Sequence, residues 1–249
     1  MKIKSNNKII GKKIYHLKSI DSTNLFSKNL INDGAEEGTV VVADVQTGGR
    51  GRKNRMWFSP KGGLWFSIIL YPNVSPDSGM FVTMLGSISV AQAISELTGL
   101  DPEIKWPNDV LINRKKVCGI LTEMDIDQGK LKSIIIGIGI NVNNQLNEEL
   151  QNIATNLKKE TNNEISKENL LELILKKFDK NYDKLQSDNY NYVKDRWLFF
   201  SNIIGKKIKV NEDGKITIGT VSDINRKGHL IINSEKVLIT ITTGDIEYL

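Results

Sequence analysis

Apolar positions follow two rhythms along this chain, and the changes between them mark its elements. Residues 39–46, rich in β-branched side chains, predict a buried strand, and residues 64–71 predict another. Residues 79–97 carry Phe81, Met84, Leu85, Ile88 and Ala91 at helical spacing. A short strand is expected over 103–106, stopped by Pro107. Residues 110–112 and 117–124 predict a hairpin around Asn113, Arg114 and Lys115. After an Asp127-Gln128-Gly129 turn, residues 130–142 predict the next strand. An amphipathic helix is expected over 170–185, with Leu170, Leu173, Ile174, Phe178 and Leu185 on one side, and 192–200 continue helically. Beyond Asn202 the segments become short and alternating: 207–210, 216–222, 230–233, 237–242 and 246–249. This predicts an α+β domain over residues 1–200 and a small β-barrel over 201–249.

Composition narrows the class without naming it. The chain has 249 residues, 39% hydrophobic and 25% charged, which suits a globular protein with a sizeable core. No apolar run approaches the roughly 20 residues of a membrane span, the longest candidate being 133–142. Residues 1–11 are basic and polar with no apolar signal core, so a cytoplasmic location and no membrane partner are expected. The single cysteine, Cys118, cannot close an internal disulfide and reads as a small buried residue. The net charge of +5 permits an anionic partner, but the lysines are spread along the chain, as on a solvated surface.

Four stretches carry candidate chemistry. The first lies in the long polar connection 47–63: Gly48-Gly49-Arg50-Gly51-Arg52-Lys53-Asn54-Arg55-Met56-Trp57. Arginine forks grip carboxylates or phosphates in two places, and glycines let the backbone approach a ligand. Three arginines would repel one another until an anion joined them, so 48–54 is expected to be a lid. A solvated basic loop or an RNA-binding segment is the alternative. The second is Lys105-Trp106-Pro107-Asn108-Asp109, with Lys116 returning on the hairpin towards Asp109; a surface ion pair is the alternative. The third is Gly137-Ile138-Gly139-Ile140-Asn141, which lacks the third glycine of a dinucleotide fingerprint and reads as a strand that something approaches closely. The fourth, Asp21-Ser22-Thr23-Asn24, stands before a helical segment. Capping explains Ser22 or Thr23, and three small polar side chains could also reach a urea-like group. No phosphate-binding Gly-x-x-x-x-Gly-Lys-Ser/Thr loop is present, so nucleotide phosphates would be held by side chains.

In this order the stretches resemble biotin protein ligases, over roughly residues 14–249. The matching pieces are Asp21-Ser22-Thr23-Asn24, Gln46, Gly49-Arg50-Gly51-Arg52 with Arg55 and Trp57, Lys105 to Asp109, Lys116 with Gly119-Ile120-Leu121, and Gly137 to Asn141. The resemblance implies a mixed-sheet catalytic domain followed by a small SH3-like β-barrel. It implies that biotin is activated with ATP to biotinyl-5′-AMP and passed to a lysine of a biotin carboxyl carrier protein or domain. Ser22, Thr23, Asn24, Gln46, Arg50, Gly51, Arg52 and Lys116 would contact biotin. Arg52, Arg55, Trp57, Lys105, Asn108, Lys116 and Asn141 would contact ATP, with Mg²⁺ arriving on the phosphates and no protein-held metal. Lys116, Arg52 and Asp109 would be catalytic, Asp109 orienting the acceptor amine. Only about 13 residues precede the first matched strand, too few for a DNA-binding module, so no DNA-binding role is expected. The chain ends without the arginine that some relatives place near ATP. A homodimer through exposed sheet edges is compatible. A lipoate or octanoyl transferring enzyme of related fold is the nearest rival, and a non-enzymatic nucleic-acid binder the other, though the interleaved aromatics of a stacking platform are missing.

Overall fold

The computed structural model describes residues 7–187 and 190–249. In chain order the first part contains β1 (Ile14–Leu17), α1 (Thr23–Asn32), β2 (Val40–Ala43), β3 (Leu64–Leu70) and α2 (Gly79–Thr98). β4 (Glu103–Lys105), β5 (Asp109–Ile112), β6 (Lys115–Asp127) and β7 (Lys130–Ile140) follow, then α3 (Leu157–Thr161), α4 (Lys167–Gln186) and α5 (Tyr190–Ser201). The seven strands form one sheet in the order β1-β2-β3-β7-β6-β5-β4. Only β1 and β2 are parallel, joined through α1; the remaining pairs are antiparallel.

The strand pattern decides which face meets the helices. On β7 the even positions Ile134, Ile136, Ile138 and Ile140 enter the core, while Ser133, Ile135, Gly137 and Gly139, with Asn141 just after the strand, face a cavity. A one-residue slip would expose all four isoleucines, a loss on the order of 6–12 kcal/mol, so the register is firmly set. α2 covers the core face, where Gly86 lets Ile136 and Ile120 approach the helix. Together with the turn before it, α2 is as long and apolar as a membrane span, which corrects the expectation that no such run exists. Of that window 72% is buried, and this is the central helix of the core.

After Asn202 come β8 (Lys207–Glu212), β9 (Lys215–Ile224), β10 (Leu230–Ser234), β11 (Val237–Ile241) and β12 (Asp245–Tyr248). They form a second antiparallel sheet in the order β11-β10-β9-β8-β12. The expected barrel is present as an open sheet: β11 and β12 are its two edges, and among the described residues no ladder between them closes it. Gly244 (φ 133) carries the chain from β11 across to β8, where a Cβ would press on Val210 and the Asn211 carbonyl. The buried face of this sheet, including Val210, Val221, Leu230 and Ile246, joins the same apolar cluster as the large sheet. Trp106 Nε1 donates to the Gly228 carbonyl at 3.2 Å, and Lys194 pairs with Asp223 at 2.6 Å. The two sheets are therefore fastened together.

Candidate active site

One cavity of about 580 Å³ opens on the sheet face opposite α2. Its floor is made from neighbouring strands that lack side chains. Gly119 pairs with Gly139, and Gly137 lies between Ser67 and Leu121. A Cβ at Gly139 would strike the indole of Trp57, and one at Gly137 would strike the amide of Asn24. The glycines thus let two flat side chains lie against the backbone. The Trp57 indole N–H is buried and has no partner in the described residues.

A polar array stands at the α1 end. Ser22 caps α1, accepting the Leu25 N–H at 3.5 Å. Gln46 Oε1 accepts from the Thr23 backbone at 2.8 Å and the Thr23 hydroxyl at 3.0 Å. Gln46 Nε2 donates to Ser59, whose hydroxyl donates to the Trp57 carbonyl. The Ser67 hydroxyl lies 2.7 Å from Thr23 Oγ1 and 2.6 Å from Asn24 Oδ1. Asn24 Nδ2 donates to Glu123 at 2.6 Å. Capping and cavity lining therefore coincide in the Ser22 segment, where the sequence left them as alternatives.

Further along the strands lies a cationic group. A β-bulge separates the Val110–Cys118 pair from the Leu111–Lys116 pair. The extra residue, Val117, joins Cys118 in the core and turns Lys116 to the cavity. Lys116 Nζ sits 2.7 Å from Asp109 Oδ1 and 5.0 Å from the Trp57 ring centroid. The buried amide of Asn108 donates to the Ile120 carbonyl at 2.7 Å and accepts from Arg52 at 3.3 Å. Asn141 follows β7, its side-chain oxygen accepting from Asn144 at 3.1 Å. Burial pushes the Cys118 thiol well above its ordinary value despite the nearby Lys116, so a nucleophilic thiolate is excluded.

The arginine segment closes one side of this cavity. Lys53 (φ 55) and Asn54 (φ 57) take left-handed backbone, which folds the segment into a tight turn. Its cations rest on the second sheet. Arg52 donates to the Gly244 carbonyl at 3.2 Å and to Thr243 at 3.1 Å. Lys53 pairs with Asp213 at 2.6 Å and Arg55 with Asp245 at 2.5 Å. Burial disfavours the charged form of Asp245. The Arg55 hydrogen bond and the charges of Arg55, Arg52 and Lys53 outweigh it and hold the carboxyl below its ordinary value. Burial also lowers Arg52 against the pull of Asp245 and Asp109.

The structure brings Ser22, Thr23, Asn24, Gln46, Arg50, Gly51, Arg52, Arg55, Trp57, Asn108, Asp109, Lys116 and Asn141 to one cavity. Lys105 is the exception: it stands on β4, at the sheet edge, outside the lining. The Asn24 amide is already engaged at both ends. Sequence reasoning missed Ser67, buried behind the array, and, in the lining, Glu123, Asp245 and the apolar mouth formed by Leu146, Leu150 and Ile153. Glu123 had a signal, since it follows Gly119 and Leu121 at period two. Asp245 had none.

A sequence profile of the biotin/lipoate A/B protein ligase family matches residues 16–141. The chain belongs to this family. Among curated relatives it is 36% identical to the bifunctional ligase/repressor BirA of Bacillus subtilis, over 96% of this chain and 75% of that protein. It is 32% identical to the biotin–[acetyl-CoA-carboxylase] ligase of Paracoccus denitrificans over 124 residues, 49% of this chain and 51% of that protein. Among solved structures, the biotin protein ligase of Aquifex aeolicus in complex with biotin and ATP superposes with a TM-score of 0.83. Its sequence is 31% identical, and the match covers 96% of this chain and 99% of that one. The ligase fold of the family thus carries the glycine floor, the polar array and the cation group of this chain.

Proposed function

We propose that this chain is a biotin protein ligase. It activates biotin with ATP as biotinyl-5′-AMP, releasing pyrophosphate, and transfers biotin to a lysine of a biotin carboxyl carrier domain. One observation carries this reading: a head-group array (Ser22, Thr23, Gln46) and a cation group (Lys116, Arg52, Arg55) stand at two levels of one side-chain-free floor. Gly137 to Asn141 spans four residues of extended chain, about 13 Å. That suits a small acid with a polar ring at one end and a carboxylate at the other.

The reaction joins two anions, and their repulsion is the main obstacle. Lys116 and Arg52 reach the place where the carboxylate meets the α-phosphate and neutralise the charge that builds there. Before ligand enters, Asp109 holds Lys116 and the second sheet holds Arg52, so neither cation is left uncompensated. The carboxylate attacks the α-phosphorus and pyrophosphate leaves. Mg²⁺ would arrive on the nucleotide, whose phosphate oxygens would supply most of its ligands. Trp57 and the arginine segment cover the mixed anhydride and keep water from it. The acceptor amine then attacks the acyl carbon, AMP departs, and Asp109 orients the amine.

The test is intact mass of an acceptor domain after incubation with the protein, biotin, ATP and Mg²⁺. A gain of one biotinyl group is expected, with lipoate giving none. An unchanged mass in the presence of biotin contradicts the reading.

A further inference from the structure

The polar array continues past the side chains that face a ligand. From Gln46 it runs through Thr23 and Ser67 to Asn24 and ends on Glu123, at the opposite rim of the cavity. The Thr23, Ser67 and Asn24 links between its two ends could point their protons either way. Thr23 and Ser67 are hydroxyls, which donate or accept, and the Asn24 amide could be turned over, whereas the Gln46 amide is fixed by the Thr23 backbone N–H on its oxygen. A carboxylate only accepts. Glu123 therefore forces the Asn24 amide to present its N–H group, and the Asn24 oxygen then faces Ser67. Asn24 Nδ2 also lies 3.5 Å from the Leu121 carbonyl, at the limit of a hydrogen bond, so the carboxylate at 2.6 Å decides.

The consequence passes along the chain. Ser67 has one proton for its two contacts. With the Asn24 oxygen as acceptor, that proton is committed to Asn24, and the 2.7 Å contact is then made by the Thr23 hydroxyl donating to Ser67, which leaves the Thr23 oxygen open to accept from the ligand. Turned over, Asn24 would donate to Ser67, and the Ser67 proton would occupy the Thr23 oxygen, the lone pair nearest the ligand. Gly137 supports the same end, because any side chain there would lift the Asn24 amide off the sheet.

We infer that Glu123 is a positioning residue for biotin recognition: it fixes the Asn24 amide and, through Ser67, the direction in which the Thr23 hydroxyl faces the head group. This rests on the ligase reading and extends it to a residue of the cavity rim that acts through Asn24. A site with one fixed polarity also rejects a head group with the reverse pattern.

The experiment is biotin-dependent pyrophosphate exchange by wild type, E123A, E123Q, N24D and N24D/E123Q, with biotin affinity measured by calorimetry. E123A is expected to raise KM for biotin at least tenfold, with kcat and the KM for ATP within twofold. E123Q should bring the biotin KM back to within threefold, since its amide oxygen still accepts from Asn24. N24D sets two carboxylates against each other and should bind biotin at least tenfold more weakly. Adding E123Q supplies an N–H to the new carboxylate and should recover most of that loss. Discrimination against an analogue with a guanidino in place of the ureido group should fall at least fivefold in E123A. A biotin KM within twofold of wild type in E123A overturns the inference. So does a uniform loss of kcat and of both affinities that E123Q leaves unrepaired. If E123A does not fold, the N24D and N24D/E123Q pair decides by presence or absence of recovery. If wild type shows no biotin-dependent exchange, the ligase reading itself fails, and calorimetry still judges the role of Glu123.

Discussion

At Lys116 one side chain answers two demands. It must be held in a folded protein that has no ligand, and it must be free to meet an anion. Asp109 at 2.7 Å meets the first demand, and partial exposure of both side chains, 30% and 24%, permits the second. The Asp109 oxygen that holds Lys116 is buried, so a substrate anion takes over an existing ion pair and the cation is never left alone. K116A and R52A are therefore expected to lower biotin-dependent pyrophosphate exchange by about 10²–10³-fold, the size of losing one preorganised charge donor. Thermal midpoints should stay within a few degrees. Exchange near the wild-type rate in both variants would remove these residues from the reaction. Asp245 adds a pH signature. Its folded carboxyl lies below the ordinary 3.8, so its stabilising effect is present above that value and is lost as pH falls through the folded one. The difference in thermal midpoint between wild type and D245N should be constant above about pH 5 and shrink below 3.8. A difference that grows on acidification contradicts the assignment. At this scale most of the site was legible in the sequence. The Asp109–Lys116 approach followed from hairpin spacing alone. Lys105 pairs across the ladder with Asp109 and shares its face, but β4 is the sheet edge, which leaves Lys105 one strand beyond the cavity lining.

At the scale of elements, the cavity exists because two neighbouring strands, β6 and β7, carry glycine on the cavity face. Sequence showed Gly137 and Gly139 as close-approach points. It did not show what approaches, since Asn24 and Trp57 come from segments far upstream. G139A tests the floor: the added methyl would displace the Trp57 indole. Exchange is expected to fall at least tenfold while the thermal midpoint drops by about 2–4 °C or less, the equivalent of roughly 1 kcal/mol. Unchanged exchange would mean that Trp57 does not close the site. The bulge at Val117 was illegible, because neither glycine nor proline marks it. It appears only when two residues of β6 are set against one of β5, and it alone explains why Val117 and Cys118 both point inward. The helices were legible wherever a clear apolar stripe existed. α3, five residues long, has none.

At the scale of the whole molecule, the second sheet completes the site. Its turns supply Asp213, Thr243 and Gly244, and the start of β12 supplies Asp245, to cations of the arginine segment, partners 160 to 192 residues away in sequence. No local pattern could announce them. Exposed pairs of this kind contribute about 0–1 kcal/mol each, enough to favour the closed segment and too little to lock it. D213N/D245N should therefore raise tryptic cleavage at Arg50, Arg52, Lys53 and Arg55 several-fold, read by mass spectrometry, with the rest of the chain unaffected. Equal cleavage in wild type and variant would show that the sheet does not hold the segment. The small second sheet itself was legible as five alternating segments. Its openness was not, because closure depends on strand coiling rather than on pattern.

The central claim is that cations from a glycine–arginine turn and a bulged hairpin join a small acid to a nucleotide. Incorporation of labelled pyrophosphate into ATP by the purified protein measures this step alone, without an acceptor. The account predicts incorporation that requires both biotin and magnesium and is absent with lipoate or octanoate. No incorporation with biotin, or equal incorporation with lipoate, contradicts it.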